Sequence, residues 1–242
     1  MRNIALIVRR ELSSYVRTPS GYIIAALYLL INGVLFNSNL VMGDAPQLSS
    51  EVLQNYLMYA GGITACAACA FSMRLLAEER HSGTQVLLMT SPIRETEIVL
   101  GKFLASMAFL TILVLLSVYI PALIFVHGKV SWGHIAAGYG GMICVAGLAL
   151  SIGMFASALV SHPFLSVIVT AVLVGLLHLV WYVAGKVEGP IGDIIAYMSF
   201  YFRHFTPFRR GLVQVSDLVY YASLIYFFLF AATRVLKSQR WQ

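Results

Sequence analysis

Charged side chains are scarce in this sequence: 16 Lys and Arg and 10 Asp and Glu among 242 residues, 11% in all, against 60% hydrophobic residues. A soluble domain carries roughly 25% charged residues, so a soluble fold is excluded and the chain reads as an integral membrane protein. Cysteine is nearly missing. Cys66, Cys69 and Cys144 all fall inside apolar runs, where a disulfide framework has no use and packing does. Cys66-x-x-Cys69 has redox or metal spacing, but no second ligand pair accompanies it and small residues surround it, so helix packing is the expected role. No Gly-x-x-x-x-Gly-Lys-Ser/Thr loop occurs, which excludes nucleotide hydrolysis by the usual phosphate-cradling route; energy must come from another chain. His-Glu-x-x-His is absent, Ser151 and His178 lack a Gly-x-Ser-x-Gly setting, and Gly83 stands where a glutamate-type intramembrane protease would need arginine after Glu78-Glu79. The chain is not expected to be an enzyme by itself, nor to hold a metal. A basic stripe is missing too: the net charge of +6 is scattered at the ends of apolar segments, which marks topology and not nucleic-acid binding.

What is present is a succession of apolar runs. A spanning helix needs about 20 apolar residues, so six use about half the chain and leave room for one membrane domain, 1–242. The expected spans are Tyr22 to Val41, Tyr56 to Leu76, Ile98 to Val126, His134 to Val160, Phe164 to Lys186 and Leu218 to Leu236. Before them, residues 2–17 form an amphipathic helix with Ile4, Ala5, Val8, Leu12, Tyr15 and Val16 on one face and Arg9, Arg10, Ser13 and Ser14 opposite, while Leu6, Ile7 and Glu11 blur the pattern. Such a helix suits the headgroup layer of an anionic leaflet. Small residues recur on the second span (Gly61, Ala65, Cys69) and the fourth (Gly138, Gly140, Gly141, Gly147, Ser151, Gly153, Ser157), which lets neighbouring helices approach closely. Asn32 and His178 are polar inside spans, and packing or hydrogen bonding to a neighbouring helix is their expected role.

Eleven Lys and Arg fall on segments that the topology puts on one side, including Arg2, Arg9, Arg10, Arg80, Arg94, Lys102 and Lys237; five fall on the other, Lys129, Lys186, Arg203, Arg209 and Arg210. The bias places both termini in the cytoplasm of a multi-pass cell-membrane protein, with the bacterial inner membrane as the expected bilayer.

Two stretches carry function. Residues 78–96 form a polar connector on the cytoplasmic side. In it Ser82 or Thr84 can cap a helix of about two turns, Pro92 stops it, and Val86, Leu87, Leu88 and Met89 give it an apolar surface that a water-facing loop carries only to dock. Residues 188–216 hold an aromatic run too short to cross, Ile191 to Phe205, broken by Pro207 and Gly211, so it must dip in and return.

The Glu-x-x-x-x-Gly-Thr of Glu78 to Thr84, the Leu-Leu-x-Thr-x-Pro of Leu87 to Pro92 and the later Gly101-Lys102 resemble the first cytoplasmic loop of the small six-helix ABC-2 type permeases, the group that includes the gliding-motility permease GldF. Phe205, Phe208, Arg210, Gly211, Asp217, Tyr220 and Tyr221 are similar to that group's outer re-entrant region, and the likeness runs along the whole chain. The resemblance implies an all-α polytopic fold and a permease subunit of an ABC exporter, coupled to a separate ATPase that binds the ATP and magnesium; no cofactor is expected in this chain. It implies a coupling helix, with Glu78, Glu79, Gly83, Thr84, Val86, Leu87, Leu88, Met89, Pro92 and Arg94 as coupling residues. It implies an outer gate of Tyr197, Phe200, Tyr201, Phe205, Phe208 and Arg210. The implied partners are the ABC ATPase, a second copy or a similar permease, an auxiliary membrane protein and the bilayer, and not nucleic acid. A membrane scaffold or channel subunit with no ATPase is the competing reading.

Overall fold

The computed structural model describes residues 2–38, 48–84, 93–127, 130–187 and 189–239, and among them every regular element is helical. In chain order these are α1 (Arg2–Arg17), α2 (Pro19–Phe36), α3 (Ser49–Phe71) continued by a 3-10 turn (Ser72–Arg74) into α4 (Ala77–His81), α5 (Glu95–Leu116), α6 (Tyr119–His127), α7 (Trp132–Leu159), α8 (Pro163–Ala184), α9 (Pro190–Tyr197), α10 (Phe205–Arg209) and α11 (Val215–Gln239). Among the described residues six segments are long and apolar enough to cross a membrane: Pro19–Phe36, Ser49–His81, Glu95–Ile124, Trp132–Leu159, Pro163–Ala184 and Val215–Gln239. We call proximal the end of the bundle that carries α1, α4 and the C-terminal end of α11, and distal the end that carries α9 and α10.

The bundle is built around α7. Its small residues give the neighbours room: a Cβ at Gly138 would overlap Leu57 of α3, one at Gly141 would overlap Phe208 of α10, and one at Gly147 would crowd Ile225 of α11. Near the proximal end, Gly153 admits Ser72 and Thr170. Without a hydrophobic driving force between helices, such close approach is what holds membrane helices together. The ridge predicted on the second span is used the same way, since Gly61 lies under Tyr201 and Phe205. By contrast α2 and α8 turn apolar side chains outward, among them Leu27, Leu30 and Val34 on α2 and Ile168, Val172 and Leu176 on α8. That is how a helix facing lipid or a second chain is expected to look.

Four details differ from what the sequence suggests. The first helix breaks only at Thr18, because Pro19 is favoured in a first turn and Gly21 passes within a Cβ radius of the Tyr15 carbonyl. The third span is not continuous. Pro121 has no N–H for the carbonyl four residues back, and the helix breaks at Ser117 and Val118, where the Ser117 hydroxyl donates to Val114 O at 2.7 Å. The connector is shorter than it reads, because Glu78 and Glu79 sit in α4 and Glu95 opens α5. The stretch from Ile191 to Phe205 is helical only to Tyr197, in α9, and then turns into α10, which begins at Phe205.

Candidate functional site

The proximal end is organised by charges that the apolar segments carry sparingly. Lys102 Nζ lies 3.3 Å from Glu11 Oε1 and 3.0 Å from Glu79 Oε1, and Arg10 Nη2 lies 2.8 Å and 3.4 Å from the same two oxygens. Three elements therefore meet at one cluster: α1 through Arg10 and Glu11, α4 through Glu79, and α5 through Lys102, whose side chain is only 4% exposed. Burial alone would raise the Glu11 carboxyl, but the charge of Lys102 and the hydrogen bond from Arg10 outweigh it and hold Glu11 below the usual range. The hydrogen bond to Glu11 in turn raises the Arg10 guanidinium against the opposing effect of burial.

The face of α1 that docks is set by the residues that blurred its amphipathic pattern. Ile7 fills the space left by Gly101, Glu11 meets Lys102, and the Tyr15 hydroxyl lies 2.8 Å from Ser106 Oγ, so residues spaced four apart follow α5 turn by turn. Tyr15 is buried, and burial pushes its phenol up to about 12. At the first turn of α5, Glu97 accepts from the Arg94 backbone N–H at 3.1 Å and from Asn3 Nδ2 at 3.3 Å, tying the start of α1 to the same helix. Arg94, predicted as a contact to an ATPase, is thus the N-cap residue of α5.

The root of the connector is pinned from the other side as well. Ser157 Oγ of α7 accepts from Leu76 N at 2.9 Å and Ala77 N at 2.8 Å, so α4 receives its N-terminal cap from a residue about 80 positions away. Ser166 of α8 donates to Ser72 O at 3.2 Å. Arg74, mostly buried, donates to Thr18 Oγ1 at 3.0 Å and Ser20 Oγ at 2.7 Å, pairs with Glu78 at 3.5 Å and lies over the Tyr15 ring. Gly83 ends α4 with φ +72°, a left-handed conformation that favours glycine, and the Thr84 hydroxyl donates to Glu79 O at 3.3 Å. Val86, Leu87, Leu88, Met89 and Pro92 lie outside the described residues.

At the distal end α9, α10 and the turn between them carry the aromatic residues. Phe200, Tyr201, Phe205 and Phe208 are buried, and Phe208 reaches Gly141, nine residues or about 14 Å along α7 from its distal start. The Tyr201 hydroxyl donates to Met58 O, Tyr221 donates to Phe200 O at 2.6 Å, and His134 Nε2 lies 2.7 Å from Arg209 O. Tyr197 and Arg210, named with these aromatics from the sequence, are exposed and stand at the rim. Underneath, His204 Nδ1 meets Asp217 Oδ1 at 2.7 Å and His204 Nε2 faces Tyr197 O at 3.0 Å, with the Tyr220 ring stacked on the imidazole at 3.7 Å. Burial, then the charge of Arg210, pushes the Arg209 guanidinium down.

Of the two polar residues inside spans, Asn32 is fully buried and its amide donates to Tyr28 O at 2.8 Å on its own helix. His178 packs on the rings of Tyr201 and Phe202 and borders an apolar groove of about 600 Å³ between α3 and α8.

Glu11, Arg10, Lys102, Arg74, Ser157 and the His204–Asp217 pair were not picked out as site residues. A charge recurring on an otherwise apolar face, Glu11 in α1 and Lys102 eight residues into α5, was the available signal.

The arrangement defines a polytopic helical membrane subunit whose polar work is concentrated at the two ends of the bundle. The chain belongs to the ABC-2 family of transporter proteins, whose family model matches residues 5–239. It is therefore a permease component of an ABC transporter, and the family implies an ABC ATPase as partner in general. No curated protein matches the chain.

Proposed function

We propose that this chain is the permease half of an ABC exporter, that residues 78–96 form the handle held by the ATPase, and that ATP and magnesium act in that partner. Two copies, or this chain and a similar one, pair along the outward apolar faces of α2 and α8, with both termini in the cytoplasm of a bacterial inner membrane. The observation that carries this reading is the cluster of Arg10, Glu11, Glu79 and Lys102 at the root of the handle. A load applied at Glu79 would reach α1 and α5 through charges, and α7 through Ser157. A scaffold needs no such bracing of one short connector.

ATP binding would bring two ATPases together, and the distal aromatics Tyr197, Phe200, Tyr201, Phe205 and Phe208 with Arg210 would open as the spans tilt. Such a shift requires contacts that differ between the two states, and Val86, Leu87, Leu88 and Met89 are the residues proposed to make them with the ATPase. The likeness to the gliding-motility group extends the proposal to an auxiliary membrane subunit and to mechanical work as an alternative to cargo movement. The test is Leu87→Asp in the chain co-expressed with its ATPase. Complex yield and ATPase stimulation fall while membrane insertion is unchanged; unaltered assembly refutes the handle.

A further inference from the structure

We infer that the distal end carries a binding site for a phosphate ester, shaped for the headgroup of an anionic amphiphile. A cavity of about 450 Å³ opens between the end of α8, the turn after α9 and the start of α11, within the size range of small-molecule sites. Its floor is the His204–Asp217 pair. Tyr197 O can only accept, so His204 Nε2 donates to it, and the short contact between Nδ1 and Asp217 Oδ1 also requires a proton. Whichever atom holds that proton, the pair is neutral overall.

The rim supplies the charge. Arg203 and Arg210 line the cavity, both are exposed, and neither has an ion-pair partner among the described residues; Asp217, the one described carboxylate in the lining, is engaged by His204. Two arginines over a neutral floor leave the cavity with two positive charges. Guanidinium groups suit phosphate oxygens because two parallel N–H donors match two acceptors.

The walls supply the rest. Trp181 and Phe202 stack on one another at 5.8 Å and 26°, giving the cavity an apolar side toward α8. Trp181 stands 18 residues, about 27 Å, along α8 from Pro163, close to the full thickness of a bilayer core of about 30 Å. The cationic rim thus lies at headgroup depth and the aromatic wall at the top of the acyl chains. Nothing in this site depends on the connector or on an ATPase.

The experiment uses the full chain purified in detergent and titrated with palmitoyl-oleoyl phosphatidylglycerol, bound lipid being counted by native mass spectrometry. A phosphate-free glucosyl diacylglycerol serves as the comparison probe, and glycerol 3-phosphate is added as a soluble competitor. Phosphatidylglycerol is expected to bind and the glucolipid to bind at least tenfold more weakly, and Arg203→Gln with Arg210→Gln is expected to weaken phosphatidylglycerol by about tenfold per arginine removed. Arg203→Lys with Arg210→Lys keeps the charge but loses the paired donors, so its binding should fall between wild type and the glutamine pair, and Trp181→Leu weakens binding by several-fold with both arginines in place. Displacement by millimolar glycerol 3-phosphate identifies a soluble phosphate ester as the ligand; failure to displace identifies the lipid. Equal binding of both lipids overturns the inference. Wild-type binding by the glutamine pair, or by the Trp181→Leu variant should the glutamine pair not fold, does the same.

Discussion

Replacing Lys102 by methionine keeps the length and most of the apolar contact of the side chain and removes the one buried cation of the proximal cluster. Glu11 and Glu79, 12% and 14% exposed, would then share Arg10, whose side chain is 62% exposed and holds Glu79 only at 3.4 Å. Removing one partner of a buried ion pair costs about 3–5 kcal/mol, because the other charge stays behind uncompensated. Arg10 and partial solvation soften this, so the lower figure applies, about 3 kcal/mol. At about 2–4 °C per kcal/mol for a chain of this size, the unfolding midpoint falls by about 6–12 °C. Tryptophan fluorescence during a thermal ramp in one detergent measures the midpoint. Limited proteolysis at Arg9 and Arg10 reports whether α1 has come away from α5. Adding Glu79→Gln to Lys102→Met should restore at least half of the loss, since Arg10 and Glu11 can then pair alone. A midpoint within 1–2 °C of wild type for the single variant, on the same scale of about 2–4 °C per kcal/mol, refutes the reasoning; so does a double variant no better than the single.

Three further outcomes follow from the same contacts. Because the folded Glu11 carboxyl titrates below its ordinary value of 4.5, its contribution is fully present above that pH and is lost as pH falls through the lower folded value, so the share of α1 protease protection that Glu11→Gln removes should hold from neutrality down to about 4.5 and decline below it. Ser157→Ala leaves the Leu76 and Ala77 amides without an acceptor, at about 1–3 kcal/mol for each buried donor, and hydrogen exchange should speed up at those two residues before α3 is affected. Gly141→Val places a Cβ 2.5 Å from Phe208 Cβ, which cannot swing aside as a side-chain tip could, so α10 is displaced at a cost of about 1–3 kcal/mol and trypsin cleavage at Arg209 and Arg210 accelerates; Gly140→Val, with open space beside it, leaves cleavage unchanged.

The six spans were legible because a bilayer demands long uninterrupted apolar runs, and nothing else in the chain meets that demand. The small-residue ridges of the second and fourth spans were legible as contact surfaces for the same physical reason. What fills them was not: Leu57 against Gly138 and Phe208 against Gly141 depend on how far each helix slides and turns relative to α7, which no local pattern encodes. The face of α1 that meets α5 was not legible because a helical wheel weighs hydrophobicity alone. Glu11 looked like an intruder on the apolar face, yet it is the residue that finds Lys102. The break at Ser117 was concealed by unbroken hydrophobicity, although Pro121 four residues on supplied its cause.

The joint at the first elbow has a mechanical consequence. Arg74 fastens to Thr18 and Ser20 at the break between α1 and α2, while Glu79, five residues further, fastens to Arg10 on α1, so two bolts, eight residues or about 12 Å apart from Arg10 to Thr18, hold α1 together with the joint behind it. A plate held at a single point can swivel; held at two, it can only be carried. Under the coupling proposed above, torque arriving along the connector would be cancelled between the bolts, and what would pass into the bilayer is tilt of the whole first hairpin.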